Sequence, residues 1–123
     1  REMFLFPGQQ RQTMKDASAV PAEAAISAAT KDGYAALGFK GGTLEEGQFA
    51  DAVLIDLHAP NMRPLSDVRK NLVYSADNAN VLMTVSGGKI VYERGKYFIG
   101  ESLDKIYSEC EKRKNRLMAQ AGF

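Results

Sequence analysis

The sequence contains one cysteine and one histidine in 123 residues. A single thiol excludes an internal disulfide, which fits a reducing compartment. One cysteine and one histidine also fall short of the ligand set a zinc site needs. No apolar run approaches the roughly 20 residues of a membrane span, and no stretch reads as a signal peptide. Excess charge is missing too. The balance is 16 Lys and Arg against 15 Asp and Glu, a net +1, which points to neither a nucleic acid nor a membrane as partner. There are no internal repeats and no low-complexity segments. The chain opens Arg1-Glu2-Met3 in what reads as mid-helix, the pattern expected of a truncated or processed protein.

What is present is ordinary for a globular chain: 45% hydrophobic and 25% charged residues, enough for one small domain with a modest core. Its organising stretch is Val81 to Tyr97, VLMTVSGGKIVYERGKY. Two strand-like runs flank Gly87-Gly88, which accepts the positive φ angles of a two-residue type I′ turn. That loop length pairs Ser86 with Lys89, Val85 with Ile90 and Met83 with Tyr92. By alternation, Val81, Met83, Val85, Ile90 and Tyr92 share an apolar face. Arg94-Gly95 reads as a second tight turn, and Lys96, Tyr97 and Phe98 as a short third strand. A lone hairpin is marginal in water, so this one must pack on something.

The remaining elements follow the same logic. Arg1 to Lys15 reads as two short helical pieces broken at Pro7-Gly8. Its Met3, Phe4, Leu5 and Phe6 need a partner surface. Pro21 to Leu37 reads as one helix, started by proline and ended by Gly38, with a small-residue face made for close approach. Thr43-Leu44 can start a strand. Ala50 to Leu57 reads as a strand with apolar residues on both faces, and therefore buried on both sides. His58 to Arg63 is a loop. Leu65 to Ala76 has helical potential, capped by Ser66 or Asp67. Asp77 to Asn80 is a turn. Ser102 to Ala121 is a helix whose stripe is Leu103, Ile106, Tyr107, Cys110, Leu117, Met118 and Ala121.

Each chemically suggestive residue has an ordinary reading. His58 lacks partners, since Asp51 and Asp56 lie five apart on a strand and face opposite sides. Cys110 sits on the apolar stripe and reads as core. Gly87-Gly88-Lys89 lacks the spacing of a phosphate loop and precedes a strand. Lys112, Arg113, Lys114 and Arg116 stand among acids and read as a solvated helix face. The residues by themselves give a small α+β piece with no active site.

Several local motifs nevertheless resemble the C-terminal part of the metal-dependent amidohydrolases. Pro21-Ala22-Glu23-Ala24-Ala25 through Ala28-Ala29-Thr30, then Ala35-Ala36-Leu37-Gly38, resembles that family's last barrel helix. Gly42 to Asp56 (GTLEEGQFADAVLID) resembles its return to the β-domain, and Val85 to Val91 (VSGGKIV) the hairpin that follows. Asn71 to Ala76 (NLVYSA) is similar to the branch of chlorohydrolases and of deaminases acting on methylthioadenosine and S-adenosylhomocysteine.

The resemblance implies an α+β fragment: the last helices of a (β/α)8 barrel plus the C-terminal half of the composite β-sandwich domain of amidohydrolases. Residues 1–40 would end the barrel domain, 41–100 would form part of the sandwich, and 101–123 the C-terminal helix. It implies a parent enzyme, cytoplasmic, that hydrolyses a ring C–N bond, less often C–Cl, with metal-activated water. The zinc or iron would be held by a His-x-His pair, two further histidines and an aspartate, expected before Arg1. No catalytic, cofactor-binding or metal-ligating residue is carried over, so this chain alone is expected to be inactive and without a cofactor. Its partners would be the barrel and N-terminal strands of the parent polypeptide, or a second copy in a homo-oligomer or strand-swapped dimer. Neither nucleic acid nor membrane is expected. The alternative is a free-standing small domain, a scaffold or protein-interaction module.

Overall fold

The computed structural model describes residues 2–122. Arg1 and Phe123, the ends of the first and last expected units, lie outside them. Helix α1 runs unbroken from Glu2 to Met14 with Pro7 inside it, so the expected break at Pro7-Gly8 does not occur. An interior proline removes one N–H and crowds the carbonyl four residues back, at a cost of about 3 kcal/mol. Here the ring is fully buried, and its packing offsets the missing bond. Met3 packs with Ile26 onto Ala22, Ala25 and Val73, whereas Phe4, Leu5 and Phe6 stay exposed.

The expected single helix from Pro21 to Leu37 is two: α2 (Ala22–Ala29) and α3 (Lys31–Ala36). The break is Thr30, at φ −125° and ψ −103°, with its hydroxyl donating back to the Ile26 carbonyl at 2.8 Å. Side-chain bonds of this kind compete with the helical ladder. The end of α3 follows expectation. Gly38 is left-handed, its N–H reaches Ala35 O at 3.0 Å, and the Phe39 N–H reaches Tyr34 O at 2.9 Å, a complete Schellman closure. The small-residue face does allow close approach. Ala22 and Ala25 are buried against Val73, and Gly42 sits so near the Thr30–Lys31 backbone that a Cβ there would fall 2.6 Å from Lys31 Cα.

Thr43-Leu44 forms no strand, and Leu44 is exposed. Four antiparallel strands follow in the order β1 (Ala52–Ile55), β2 (Val81–Ser86), β3 (Lys89–Glu93) and β4 (Lys96–Tyr97). Gly87 and Gly88 take φ 56° and 76°, as a type I′ turn requires, and Ser86–Lys89 and Val85–Ile90 pair as expected. Beyond them the register slips. Val91 is an extra residue, so Tyr92 faces Thr84, not Met83, and Met83 faces Glu93. A turn fixes register only as far as the first bulge. The two-residue Arg94-Gly95 turn, independently of that slip, places Tyr92 opposite Tyr97, with ring centroids 5.1 Å apart. A second bulge, at Leu82, pairs Ile55 with Val81.

Helix α4 (Val68–Tyr74) is capped by Asp67, which accepts from the N–H groups of Arg69 and Lys70. Single 3₁₀ turns at Pro60–Met62 and Asn78–Asn80 frame it. Helix α5 (Leu103–Ala121) is capped by Ser102 and buries none of its residues. The buried hydrophobic side chains among the described residues are Ala22, Ala25, Met62 and Val73, a small core for a chain of this length.

Candidate functional site

Three arrangements stand out. The first is a junction at Asp51. Its carboxylate accepts from the Tyr34 hydroxyl and from the Gly87 N–H at 2.6 Å, joining α3, the entry to β1 and the β2–β3 turn. The Tyr34 hydroxyl above all, then the Gly87 N–H, hold the Asp51 carboxyl below the usual carboxylate range. The same bond raises the Tyr34 phenol. Beside the junction lies an open groove of about 510 Å³, floored by Ala29, Gly33 and Leu37. Phe49 walls it, with ring centroids 6.1 Å from Tyr34 and 5.9 Å from Phe39.

The second is an amide network. Asn80, 1% exposed, accepts from Asp77 N at 2.9 Å and Asn61 Nδ2 at 2.7 Å, and donates to Asn61 Oδ1 and the Asp56 carbonyl. Asn71 donates to the carbonyls of Met62 and Pro64. Together they fasten the 58–64 loop to the end of β1 and to α4, with Met62 at 0% exposure beneath.

The third is bare apolar surface. Val53 and Leu54, neighbours on β1 and therefore on opposite faces of the sheet, are 56% and 55% exposed. The expectation that β1 is buried on both sides is not met within this chain. Strand β1 pairs only with β2, and β4 only with β3, so both sheet edges are open.

The residues weighed in the sequence fall as follows. The His58 Nδ1 accepts from the Arg63 guanidinium at 2.9 Å, and the His58 N–H donates to Asp56. This is loop chemistry, with no second histidine or thiol beside it. Cys110 is exposed, not core, because α5 packs on nothing that would cover its stripe. Gly87 and Gly88 form the hairpin turn. Lys112 and Lys114 pair with Glu109 and Glu111 on a solvated face. Among the described residues no group of three His, Cys, Asp or Glu side chains could hold a metal ion, and no helix is long and apolar enough to cross a membrane. The Asp51 junction and the Asn80 network went unread in the sequence. Asp51 stood only as a neighbour of His58, and the one available signal was its place directly before β1.

A small antiparallel sheet joined to a cluster of short helices, with both faces of β1 bare, defines an α+β unit. The chain belongs to the amidohydrolase family, whose pattern matches residues 3–91. It is 39% identical over 105 residues to a 5-methylthioadenosine/S-adenosylhomocysteine deaminase of Moorella thermoacetica, covering 82% of this chain and 24% of that one. It is 33% identical over 106 residues to a 5′-deoxyadenosine deaminase of Methanosphaera stadtmanae, covering 86% and 25%. The fold matches a crystal structure of an adenosine deaminase from Xanthomonas campestris with bound zinc. There the TM-score is 0.88 and the identity 27%, over 96% of this chain and 27% of that one. The chain thus spans about a quarter of the length of the relatives it matches. The family is metal-dependent, and one histidine with an exposed, isolated thiol does not fit such a centre.

Proposed function

We propose that this chain is the C-terminal structural portion of a deaminase-type amidohydrolase that hydrolyses a ring C–N bond with metal-activated water. Residues 1–40 end the barrel, 41–100 supply part of the composite β-sandwich, and 101–123 form the C-terminal helix. The metal ligands and the reacting groups lie elsewhere in the polypeptide, so no step of the chemistry runs through a residue of this chain. Its work is to close the barrel with α2 and α3 and to offer β1 and the hairpin to the strands that complete the sandwich.

One observation carries this reading: Val53 and Leu54 leave both faces of β1 bare in a chain a quarter as long as its relatives. Large apolar patches on a soluble chain mark contact surfaces. A free-standing interaction module would have to be held together by a core of Ala22, Ala25, Met62 and Val73, which is less than small independent domains need.

The test is a graft. This chain replaces the matching segment of the Moorella thermoacetica enzyme, and the chimera is assayed with methylthioadenosine. Deamination by the chimera, with none by the chain alone in the presence of zinc, is the expected result. Metal-dependent deamination by the chain alone would sink the proposal.

A further inference from the structure

Helices α1 to α4 and the sheet do not share a core. The buried cluster of Ala22, Ala25 and Val73, with Met3 and Ile26 against it, draws on α1, α2 and α4 and on no strand. Helix α2 packs on α1, α3 and α4, while β2 packs on β1 and β3. Between these two bodies runs an open cleft of about 540 Å³, with Ala29 and Thr30 on one wall and Ala52, Val53 and Thr84 on the other.

The bodies are joined at two places of different character. At one, buried Asn80 ties the end of β1 to Asn61, and Asn71 of α4 holds the Met62 carbonyl beside it. The other lies at the cleft. The chain after Gly38 keeps to the helices as far as Phe49. Gly42 lies against the Thr30–Lys31 backbone, and the Phe49 ring meets those of Tyr34 and Phe39. From Ala50 the chain keeps to the sheet. The Ala50 carbonyl accepts from the Gly88 N–H at 2.8 Å, and the Asp51 carboxylate accepts from the Gly87 N–H at 2.6 Å. Among the described residues, the one side-chain hydrogen bond that crosses from helix to sheet here is Tyr34 to Asp51. Both residues are half-buried.

We infer that the Tyr34–Asp51 bond is a strap. It holds the sheet to the helices across the cleft, and its release lets the sheet swing about the Asn80 network while both bodies stay folded. Hinges of this kind need one joint that persists and one that opens at lower cost. A buried network of amides suits the first role, and a single half-buried bond beside open space suits the second. The inference is independent of the reading of the chain as part of a deaminase.

The test reads the distance between the bodies in the full chain. Spin labels are attached through Gln10→Cys on α1 and Lys89→Cys on β3, both exposed, in a Cys110→Ser background. Labelled protein is diluted into unlabelled protein, so that only distances within one molecule are read. A second pair, Gln10→Cys with Lys70→Cys, lies within the helical body. One narrow distance is expected for each pair. Tyr34→Phe removes the hydroxyl and keeps the ring. It should raise the population of a second Gln10–Lys89 distance about tenfold, the weight of one hydrogen bond to a charged group. The Gln10–Lys70 distance and the helical circular dichroism should not change. Glu23→Gln, which breaks the Glu23–Arg69 ion pair inside the helical body, should alter neither distance. A Gln10–Lys89 distance that ignores Tyr34→Phe would overturn the inference. So would a broad distribution with Tyr34 intact, a change in both pairs together, or an equal response to Glu23→Gln.

Discussion

The Tyr34 hydroxyl donates to the Asp51 carboxylate across 17 positions of sequence, and through the Gly87 N–H the same carboxylate reaches a further 36. One side chain therefore holds α3, β1 and the hairpin turn in register with one another.

That contact sets a pH dependence. Because Asp51 is held below the ordinary 3.8, the folded chain binds its proton less tightly than the unfolded chain does. The stability it supplies is present above about that value and is lost as pH falls through the lowered folded pKa. Asp51→Asn should lower the urea midpoint at pH 7, and the gap to wild type should close below pH 3.8. A gap that stays constant down the acid limb would show that Asp51 is not titrating against Tyr34 and Gly87.

Gly42 and Gly47 both sit at φ +81°, yet their substitutions should differ. Gly47 has open space around it, so Gly47→Ala should cost only the left-handed strain, about 1 kcal/mol. A Cβ at Gly42 meets the Thr30–Lys31 backbone, which cannot swing aside like a side chain. Gly42→Ala should therefore cost about 2 kcal/mol or more beyond that, read as a difference in denaturation midpoints. Equal losses would mean that the close approach to α2–α3 is not maintained in solution.

Asn80→Ala should be among the costliest polar substitutions. It leaves the Asp77 N–H, the Asn61 amide and the Asp56 carbonyl without their buried partner, a penalty of about 1–3 kcal/mol. Asn61→Ala, at an exposed position, should cost less than half as much. Hydrogen exchange at Asp77 would speed in the first variant and barely change in the second; the reverse order would remove Asn80 from the centre of the network.

Met62 is wholly buried beneath that loop. Met62→Ala should destabilise by about 2–5 kcal/mol, whereas Met14→Ala, on the exposed end of α1, should fall within about 0.5 kcal/mol of wild type. Thermal melts of the two variants make the comparison.

Much of the local structure was legible because it obeys local rules. Gly87-Gly88 and Arg94-Gly95 turn where positive φ is required, Asp67 and Ser102 cap their helices, and Gly38 ends α3. The motifs from Gly42 to Asp56 and from Asn71 to Ala76 carried the family, because a family pattern is a property of residue order. The candidate site was hardly legible. Asp51 and Asn80 are unremarkable residues until the chain brings Tyr34 and Gly87 to one and Asn61 and Asp56 to the other.

The sequence by itself determined where the chain turns, where most helices start and stop and which family it belongs to. Each of these depends on dihedral preference, on near-neighbour hydrogen bonds or on which residue types are present at all. Only the tertiary structure decided that α1 runs through Pro7, that the long helix breaks at Thr30, that Val91 and Leu82 shift the register, and that β1 and α5 stand uncovered. Burial, bulges and exposure depend on groups far apart in sequence competing for the same space. Packing can outweigh a proline's local cost, and nothing in the composition of a strand says whether the surface that should cover it is there.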